Sequence, residues 1–311
     1  ILLCVKELLF SPSSTDAEKQ SSDGQEPPKE LFDSFGRYVM EDYDAQPTFS
    51  DFLPGVAGVY GKPVWAFYVN RGQGIASFGT KSKDYPIMEF NSANKAYQNT
   101  PLLGFRTFIR VSRASRASSL IEPFSPLTTR YKHHSQSNSR PKRYMYVGSN
   151  EMQIQEIDMA NGIETNVTYF TLPEEDFGAL VRRVQITNVF GQQSLNISIL
   201  DGLARVEPAG GELNKLLKGI GRTLEGWFGV YFPYKDSLTM PFYKLSTQPS
   251  DSASVTIQHA GHYCLSMIDG DPSSLLPIVY DTSKVFGEDT MLLQPTELQN
   301  KTVAEILKKT Q

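Results

Sequence analysis

The residues best suited to ligand chemistry lie in the segment "WAFYVNRGQGIASFG", residues 65–79. This segment places Asn70, Arg71 and Gln73 beside two glycines, between two runs of aromatic side chains. Amide and guanidinium groups hydrogen-bond to hydroxyls, and aromatic rings stack on the C–H face of a sugar. The pattern therefore predicts a hairpin tip that serves as a phosphate cradle, a sugar-binding surface or a plain turn.

The glycine spacing argues against the phosphate cradle. "GQGIAS" lacks the G-x-G-x-x-G pattern of a dinucleotide-binding loop, and no helix is predicted to follow it. A sugar-binding surface fits the 15 Tyr, 18 Phe and 2 Trp of the chain, many of which are also expected in the core. A plain turn, in which glycine supplies positive φ angles, stays open as well.

Other candidates for catalysis or metal binding are weak. His259 and His262 are three residues apart and have no clear third ligand. The acidic run Glu174–Asp176 in "LPEEDFG" is typical of a polar turn rather than of a glycosidase carboxylate pair. No serine lies in a strand-to-helix elbow. We therefore predict no catalytic residue, no metal site and no cofactor in this chain.

The charge balance limits the partners. A net charge of −4 and a pI of about 5.7 argue against a nucleic-acid-binding protein. Residues 106–143 are an exception, with nine Lys or Arg and only Glu122 as an acid. This composition predicts a solvated or disordered basic loop, and no function is assigned to its insert at 112–143.

The cysteines and the N-terminal residues bear on localisation. Cys4 and Cys264, the two cysteines, do not suggest a disulfide framework. The apolar run "ILLCVKELLF" is too short to span a bilayer and has no signal-peptide cleavage site. We therefore expect a soluble, cytoplasmic protein without a membrane partner.

Alternating apolar and polar residues indicate β-strands. "EMQIQEID", "GIETNVTYFTL" and "SLNISIL" each have period two, and Asn161-Gly162 predicts a tight turn between the first two. "LVRRVQIT" places Val181 and Val184 on opposite faces, which predicts a bulge or burial on both sides. These strands favour a mainly β fold, a large antiparallel β-sandwich with one or two helices.

Two segments depart from the strand pattern, and a third segment is too polar to fold. "GELNKLLKGIGRTLEGWF", residues 211–228, has apolar residues at helical spacing, and "TVAEILKKTQ" at the C-terminus is also helix-like. Residues 11–31 are too polar to offset the entropy of ordering. We therefore predict a disordered N-terminal segment at 1–31.

The order of the segments resembles the N-terminal β-sandwich of cellobiose phosphorylase-like enzymes, which are inverting glycoside phosphorylases. The similar segments are "VWAFYVNRGQGIASFG", "GFRTFIR", "IEPFSP" and "YMYVGSNEMQIQEIDMANGIETNVTYFTLPEEDFGALVRRVQITN", within about residues 50–285. The most specific matches are Asn161, Gly162, Val167, Phe170, Pro173, Asp176, Val184, Ile186, Thr187 and Asn188.

The resemblance implies a galactose-mutarotase-like super-sandwich at 32–290. Residues 291–311 would begin a linker to an (α/α)₆ catalytic barrel, which would hold the general acid and the phosphate ligands. The implied partners are an oligosaccharide or β-glucan, inorganic phosphate as co-substrate, and a second copy of the chain in a homodimer.

The resemblance also points to residues at the edge of the active site. The expected substrate contacts are Tyr68, Asn70, Arg71, Gln73 and Phe78. The alternative function is a non-enzymatic carbohydrate-binding or scaffold sandwich.

Overall fold

A computed structural model describes residues 31–53, 59–113, 116–126, 141–191, 194–204, 206, 226–233, 238–247, 253–255, 257 and 259–308, and the backbone of 2–10. The strands are β1 Leu2–Phe10, β2 Tyr38–Glu41, β3 Ser50–Leu53, β4 Val64–Val69, β5 Ile75–Thr80, β6 Pro86–Met88, β7 Phe105–Arg113, β8 Arg116–Ile121, β9 Lys142–Val147, β10 Glu151–Asp158, β11 Ile163–Thr171, β12 Leu180–Asn188, β13 Leu195–Leu203, β14 Phe228–Tyr231, β15 Phe242–Leu245, β16 His262–Tyr263 and β17 Ile278–Val279. The helices are α1 Ala93–Leu103, α2 Ser283–Phe286, α3 Thr296–Asn300 and α4 Val303–Lys308.

Three antiparallel sheets form most of the described structure. The terminal sheet has the order β17-β1-β13-β7-β8, the meander sheet β12-β11-β10-β9-β2, and the hairpin sheet β3-β4-β5-β6. A small sheet, β14-β15-β16, lies beside them. The prediction of a mainly β, antiparallel, sandwich-like fold is confirmed.

One face of the meander sheet packs against both the hairpin sheet and the terminal sheet. The period-two pattern of β10 and β11 buries alternate residues on its inner face. Met152 and Ile154 pack with Ala66 and Phe78 of the hairpin sheet. A second cluster joins Ile163 of β11 to the terminal sheet. The hydrophobic effect therefore holds all three sheets together through this one face.

Helices cover the opposite faces of the other two sheets. Phe108 and Leu200 of the terminal sheet pack with buried residues of α2, α3 and α4: Val285, Phe286, Leu298, Val303 and Ile306. Phe67, Val69 and Ala76 of the hairpin sheet pack with Ala96 of α1. None of the four hydrophobic clusters of the described residues includes a side chain from the outer face of the meander sheet.

The first strand corrects one prediction. Residues 1–31 are expected to be disordered, yet Leu2–Phe10 forms β1 and pairs with β13 along its whole length. The expectation is wrong for this part because the argument from polarity applies to residues 11–31, whereas residues 2–10 are mostly apolar and can form a strand. Residues 11–30 lie outside the described residues.

The helices only partly follow the sequence pattern. The C-terminal helix is confirmed as α4, while most of the predicted helix at 211–228 lies outside the described residues. The helix predicted at 211–228 is wrong at its last residue, since Phe228 begins β14. The described residues hold four helices rather than one or two. No helix among them is long and apolar enough to cross a membrane.

The basic segment is more ordered than expected. Its ends form β7, β8 and β9, and residues 127–140 lie outside the described part. Arg106 and Arg143 are buried, at 3% and 4% exposure, and each forms an ion pair with a glutamate. The prediction of a solvated loop is therefore wrong at these ends, because the composition of a segment does not show where its charges find partners.

Candidate functional site

The hairpin tip between β4 and β5 is a tight turn that requires glycine. Gly72 has φ +54° and Gly74 has φ +86°. A Cβ atom at Gly72 would lie 2.8 Å from Cα of Pro101, and one at Gly74 would lie 2.5 Å from Cε of Met152. Both positions therefore need glycine for its backbone conformation, and Gly72 also needs it for its size, because its close neighbour is a backbone atom.

Asn70 is fully buried and serves the fold. Its Oδ1 accepts from the backbone N–H of Phe49 at 2.7 Å, and its Nδ2 donates to the carbonyls of Tyr43 and Pro47 at 2.8 and 2.9 Å. These bonds fasten the segment before β3 to the hairpin. A buried amide with its bonds made inside the protein is not available to a ligand in solution.

Tyr68, Gln73 and Phe78 also lie in the interior. Tyr68 and Phe78 are 1% and 7% exposed and belong to the core between the hairpin and meander sheets. Gln73 is 3% exposed, and its Nε2 donates to Oγ1 of Thr107 at 3.0 Å. The structure therefore brings the predicted contact residues together, but most of them face the core rather than solvent.

Arg71 is the partly exposed member of the predicted set. Its Nη1 donates to the carbonyl of Asn70 at 2.7 Å, and its Nη2 donates to the carbonyl of Gln46 at 3.1 Å. The guanidinium lies 5.9 Å from the ring centre of Tyr97 on α1. A ligand at this tip would therefore meet Arg71 and Tyr97.

Behind the tip, Arg182 of β12 joins the three main sheets. Its Nη2 donates to Oε1 of Gln73 at 2.5 Å and to Oγ1 of Thr107 at 3.1 Å, and its Nη1 forms an ion pair with Asp201. Its Nε donates to the hydroxyl of Tyr169 at 3.1 Å. Arg182 and Asp201 have only 8% and 13% of their side chains exposed, so this cluster is a closed junction.

This junction explains the predicted irregularity of β12. Arg182 and Val184 face inward, while Val181 lies opposite Phe170 on the outer face. The pairing of β11 with β12 continues without a register shift, so no bulge is present there. The valines lie on opposite faces because the inward position next to Val181 is taken by the polar Arg182 rather than by an apolar residue.

A cavity of about 440 Å³ lies near α2. Its lining includes Tyr243, Thr282, Thr290 and Asp289. The Asp289 carboxylate accepts from the backbone N–H groups at 291, 293 and 294, and the bond from Gln294 is the main cause of its lowered pKa. This carboxylate therefore holds the loop that follows α2.

The outer face of the meander sheet carries a second arrangement of polar groups. We call it the amide–tyrosine face, defined by Tyr144, Tyr146, Gln153, Gln155, Asn166 and Gln185. Strand register places Tyr144, Gln155, Asn166 and Gln185 in one row across four strands. The rings of Tyr144 and Tyr146 stack with their centres 6.3 Å apart and their planes at 30°.

Hydrogen bonds order these side chains. Tyr146 donates to Oε1 of Gln155 at 2.8 Å, and Gln155 donates to Oε1 of Glu164 at 2.8 Å. Asn166 donates to the same Glu164 oxygen at 2.7 Å, and Gln153 donates to Oδ1 of Asn166 at 3.0 Å. In the sequence, the amide–tyrosine face is visible only as the polar half of each period-two strand.

Known proteins provide no further assignment. Comparison of the chain with protein-family models and with curated proteins finds no match. Within the described residues, no three metal-ligating side chains come together. The resemblance to glycoside phosphorylases therefore stays a prediction from the sequence motifs.

Proposed function

We propose that this chain is the β-sandwich domain of an inverting glycoside phosphorylase that acts on β-linked glucosides or oligoglucans. The observation that best supports the proposal is the hydrogen bond between Gln73 and Arg182. It joins "NRGQG" to "LVRRVQITN", two segments on which the resemblance rests. Two motifs far apart in sequence thus pack as one unit, as expected for parts of one domain.

The proposed reaction uses inorganic phosphate as the nucleophile. A phosphate oxygen attacks the anomeric carbon, the glycosidic C–O bond breaks, and a general acid protonates the departing sugar oxygen. The products are a sugar 1-phosphate and a shortened acceptor. The resemblance assigns the acid and the phosphate ligands to a barrel that follows this domain, so the sandwich would act as its platform.

The test uses the full-length product of the gene. The protein is incubated with inorganic phosphate and a panel of β-linked gluco-oligosaccharides, and sugar 1-phosphate is quantified. We expect release that requires phosphate. A folded protein that forms no sugar 1-phosphate from any member of the panel would refute the proposal.

A carbohydrate-binding or scaffold sandwich is the second candidate, and the amide–tyrosine face favours it. Planar amides beside stacked rings suit sugar hydroxyls and C–H faces whether or not a catalytic domain is attached. The two functions separate in one experiment. Binding of a glucan without phosphate-dependent turnover would support the second and exclude the first.

A further inference from the structure

The amide–tyrosine face differs from the outer faces of the other two main sheets. Helices α2–α4 cover the terminal sheet and α1 covers the hairpin sheet, while no hydrophobic cluster of the described residues lies on this third face. Apart from the exposed Gln185, its side chains are nevertheless half-buried, because they pack and hydrogen-bond against one another. Among the described residues, nothing in these clusters covers the face, and most of its side chains are already ordered.

The ordered groups retain hydrogen-bonding capacity. Each side-chain amide has two N–H donors. The hydrogen bonds on the face use one N–H of Gln153, one of Gln155 and one of Asn166. The second N–H of each amide can donate to a ligand hydroxyl. Because the side chains are held in place, binding costs less conformational entropy than it would for mobile groups.

The charges on and beside this face largely compensate one another. Arg37 forms ion pairs with Asp33 at 2.8 Å and with Glu151 at 3.2 Å. The Glu164 carboxylate accepts from two amides, and Arg183 lies over the ring of Phe170 at 5.7 Å. A balanced face of this kind does not attract a polyanion such as a nucleic acid. Its complement is an uncharged ligand with many hydroxyls.

The length of the row across the strands favours a chain of sugars over a single sugar as the ligand. Four neighbouring strands, β9 to β12, span about 14 Å at a spacing of about 4.8 Å. The row from Tyr144 to Gln185 crosses all four. The stacked tyrosines lie at the β9 end of this row. The Arg37 guanidinium lies over the Tyr146 ring at 4.9 Å, so Tyr144 is the ring offered to a pyranose.

We propose that the amide–tyrosine face binds a neutral glucan chain laid across β9 to β12. The β linkage of that glucan rests on the proposed function, whereas its neutral, hydroxyl-rich chemistry rests on the face itself. Tyr144 stacks on a sugar ring, Tyr146 holds Gln155 in place through its hydroxyl, and Gln153, Gln155 and Asn166 donate to hydroxyls.

The test measures binding of the full-length protein to barley β-glucan by affinity electrophoresis without phosphate, with α-linked dextran in a parallel gel. We expect the β-glucan to retard the wild-type protein and the dextran not to. Tyr144→Ala should weaken the affinity about tenfold, which corresponds to about 1.4 kcal/mol. Tyr146→Ala, which removes the hydrogen bond to Gln155, should weaken it by a smaller factor. Gln155→Ala, which leaves both rings in place, should weaken it by a smaller factor.

Tyr85→Ala is the matched control, since Tyr85 is 55% exposed and precedes β6 of the hairpin sheet. Its affinity should equal that of the wild type, and thermal melting should show that all variants fold. Unchanged β-glucan affinity in the folded face variants, or equal retardation by dextran, would overturn the inference.

Phosphorolysis of a short β-linked disaccharide, measured on the same samples, tests the proposed function independently. We expect the face variants to retain it, because the resemblance assigns the catalytic acid and the phosphate ligands to the barrel. Loss of phosphorolysis in proportion to glucan binding would mean that the substitutions impair the enzyme as a whole, and it would overturn the inference. Absence of phosphorolysis in the wild type would refute the proposed function and leave the binding result to stand.

Discussion

Single residues at the hairpin tip and behind it hold this fold together. The tip was expected to contact substrate, yet Asn70 and Gln73 direct their amides into the protein. Residue type and spacing predicted a turn rich in hydrogen-bonding groups. They did not predict the direction of those groups, because the partners are 21 and 34 residues away along the chain.

Arg182 gives the strongest prediction at this scale. Arg182→Ala should lower the free energy of unfolding by about 3–5 kcal/mol, since it removes the ion-pair partner of Asp201, whose side chain is only 13% exposed. Urea denaturation measures the change. Arg183→Ala, on the exposed side of the same strand, is the control and should change stability by about 0.5 kcal/mol or less. Equal effects of the two substitutions would contradict the junction role.

Substitution of Gly72 tests the close contact between the hairpin tip and α1. Gly72→Ala combines an unfavourable positive φ with a Cβ at 2.8 Å from Pro101 Cα, and it should destabilise by more than about 2 kcal/mol. Gly191→Ala is the control, because Gly191 has φ +65° and no neighbour within 4 Å of its Cβ position. It should lose about 1–2 kcal/mol from backbone strain alone. Chemical denaturation of both variants separates the cost of the positive φ from the cost of the contact with Pro101. Equal losses of stability would mean that the contact with Pro101 is easily relieved.

Substitution of Arg71 tests the predicted contact with the substrate. Arg71→Ala in the full-length protein should reduce oligosaccharide turnover and leave the melting temperature nearly unchanged, because this side chain reaches the surface and bonds only to two carbonyls. Kinetics and thermal melting measure the two effects. Lys83→Ala, at a 71% exposed side chain, is the control and should change neither. A loss of stability that accounts for the loss of turnover would make Arg71 structural.

At the scale of elements, strands were easier to predict than helices. β10 and β11 follow from period two, because one face meets the core and the other does not. α1 was missed, since "ANKAYQNTPLL" has a weak apolar stripe and contains Pro101, a residue that disfavours helix interiors. Its helical form depends on packing against the hairpin sheet, which a local pattern does not contain.

The C-terminal helices provide a prediction about the domain boundary. Residues from 291 onward were expected to begin a linker, yet Leu298, Val303 and Ile306 share a hydrophobic cluster with the terminal sheet. Ile306→Ala should therefore destabilise the protein by about 2–5 kcal/mol. Met291→Ala, at 71% exposure, should have little effect. Denaturant unfolding measures both variants, and a stability unchanged by Ile306→Ala would mean that α4 is dispensable for the fold.

At the scale of the whole molecule, buried tyrosines couple stability to alkaline pH. Burial raises the pKa of Tyr68 and that of Tyr169 to about 12 each, from an ordinary value of about 10. An acid whose pKa is higher in the folded state holds its proton more tightly there. The associated stability is complete below about pH 10 and is lost as the pH rises through about 12.

Urea denaturation between about pH 9 and pH 11 should therefore show stability falling with pH. Tyr68→Phe removes one of the titrating groups and should flatten the decline, whereas Tyr85→Phe at an exposed position should not. Identical pH profiles for wild type and Tyr68→Phe would show that the phenol of Tyr68 titrates alike in the folded and unfolded states.

The amino-acid sequence by itself determined the fold class, strands β10, β11 and β12 of the meander sheet and the Asn161-Gly162 turn. These features depend on alternation and turn chemistry within a few residues, which are local properties of the chain. Tertiary structure alone decided that β1 pairs with β13, that Arg182 joins three sheets, and that the amide–tyrosine face lies open among the described elements. These depend on contacts between distant segments, and the free energy of such a contact exists only once the sheets have packed.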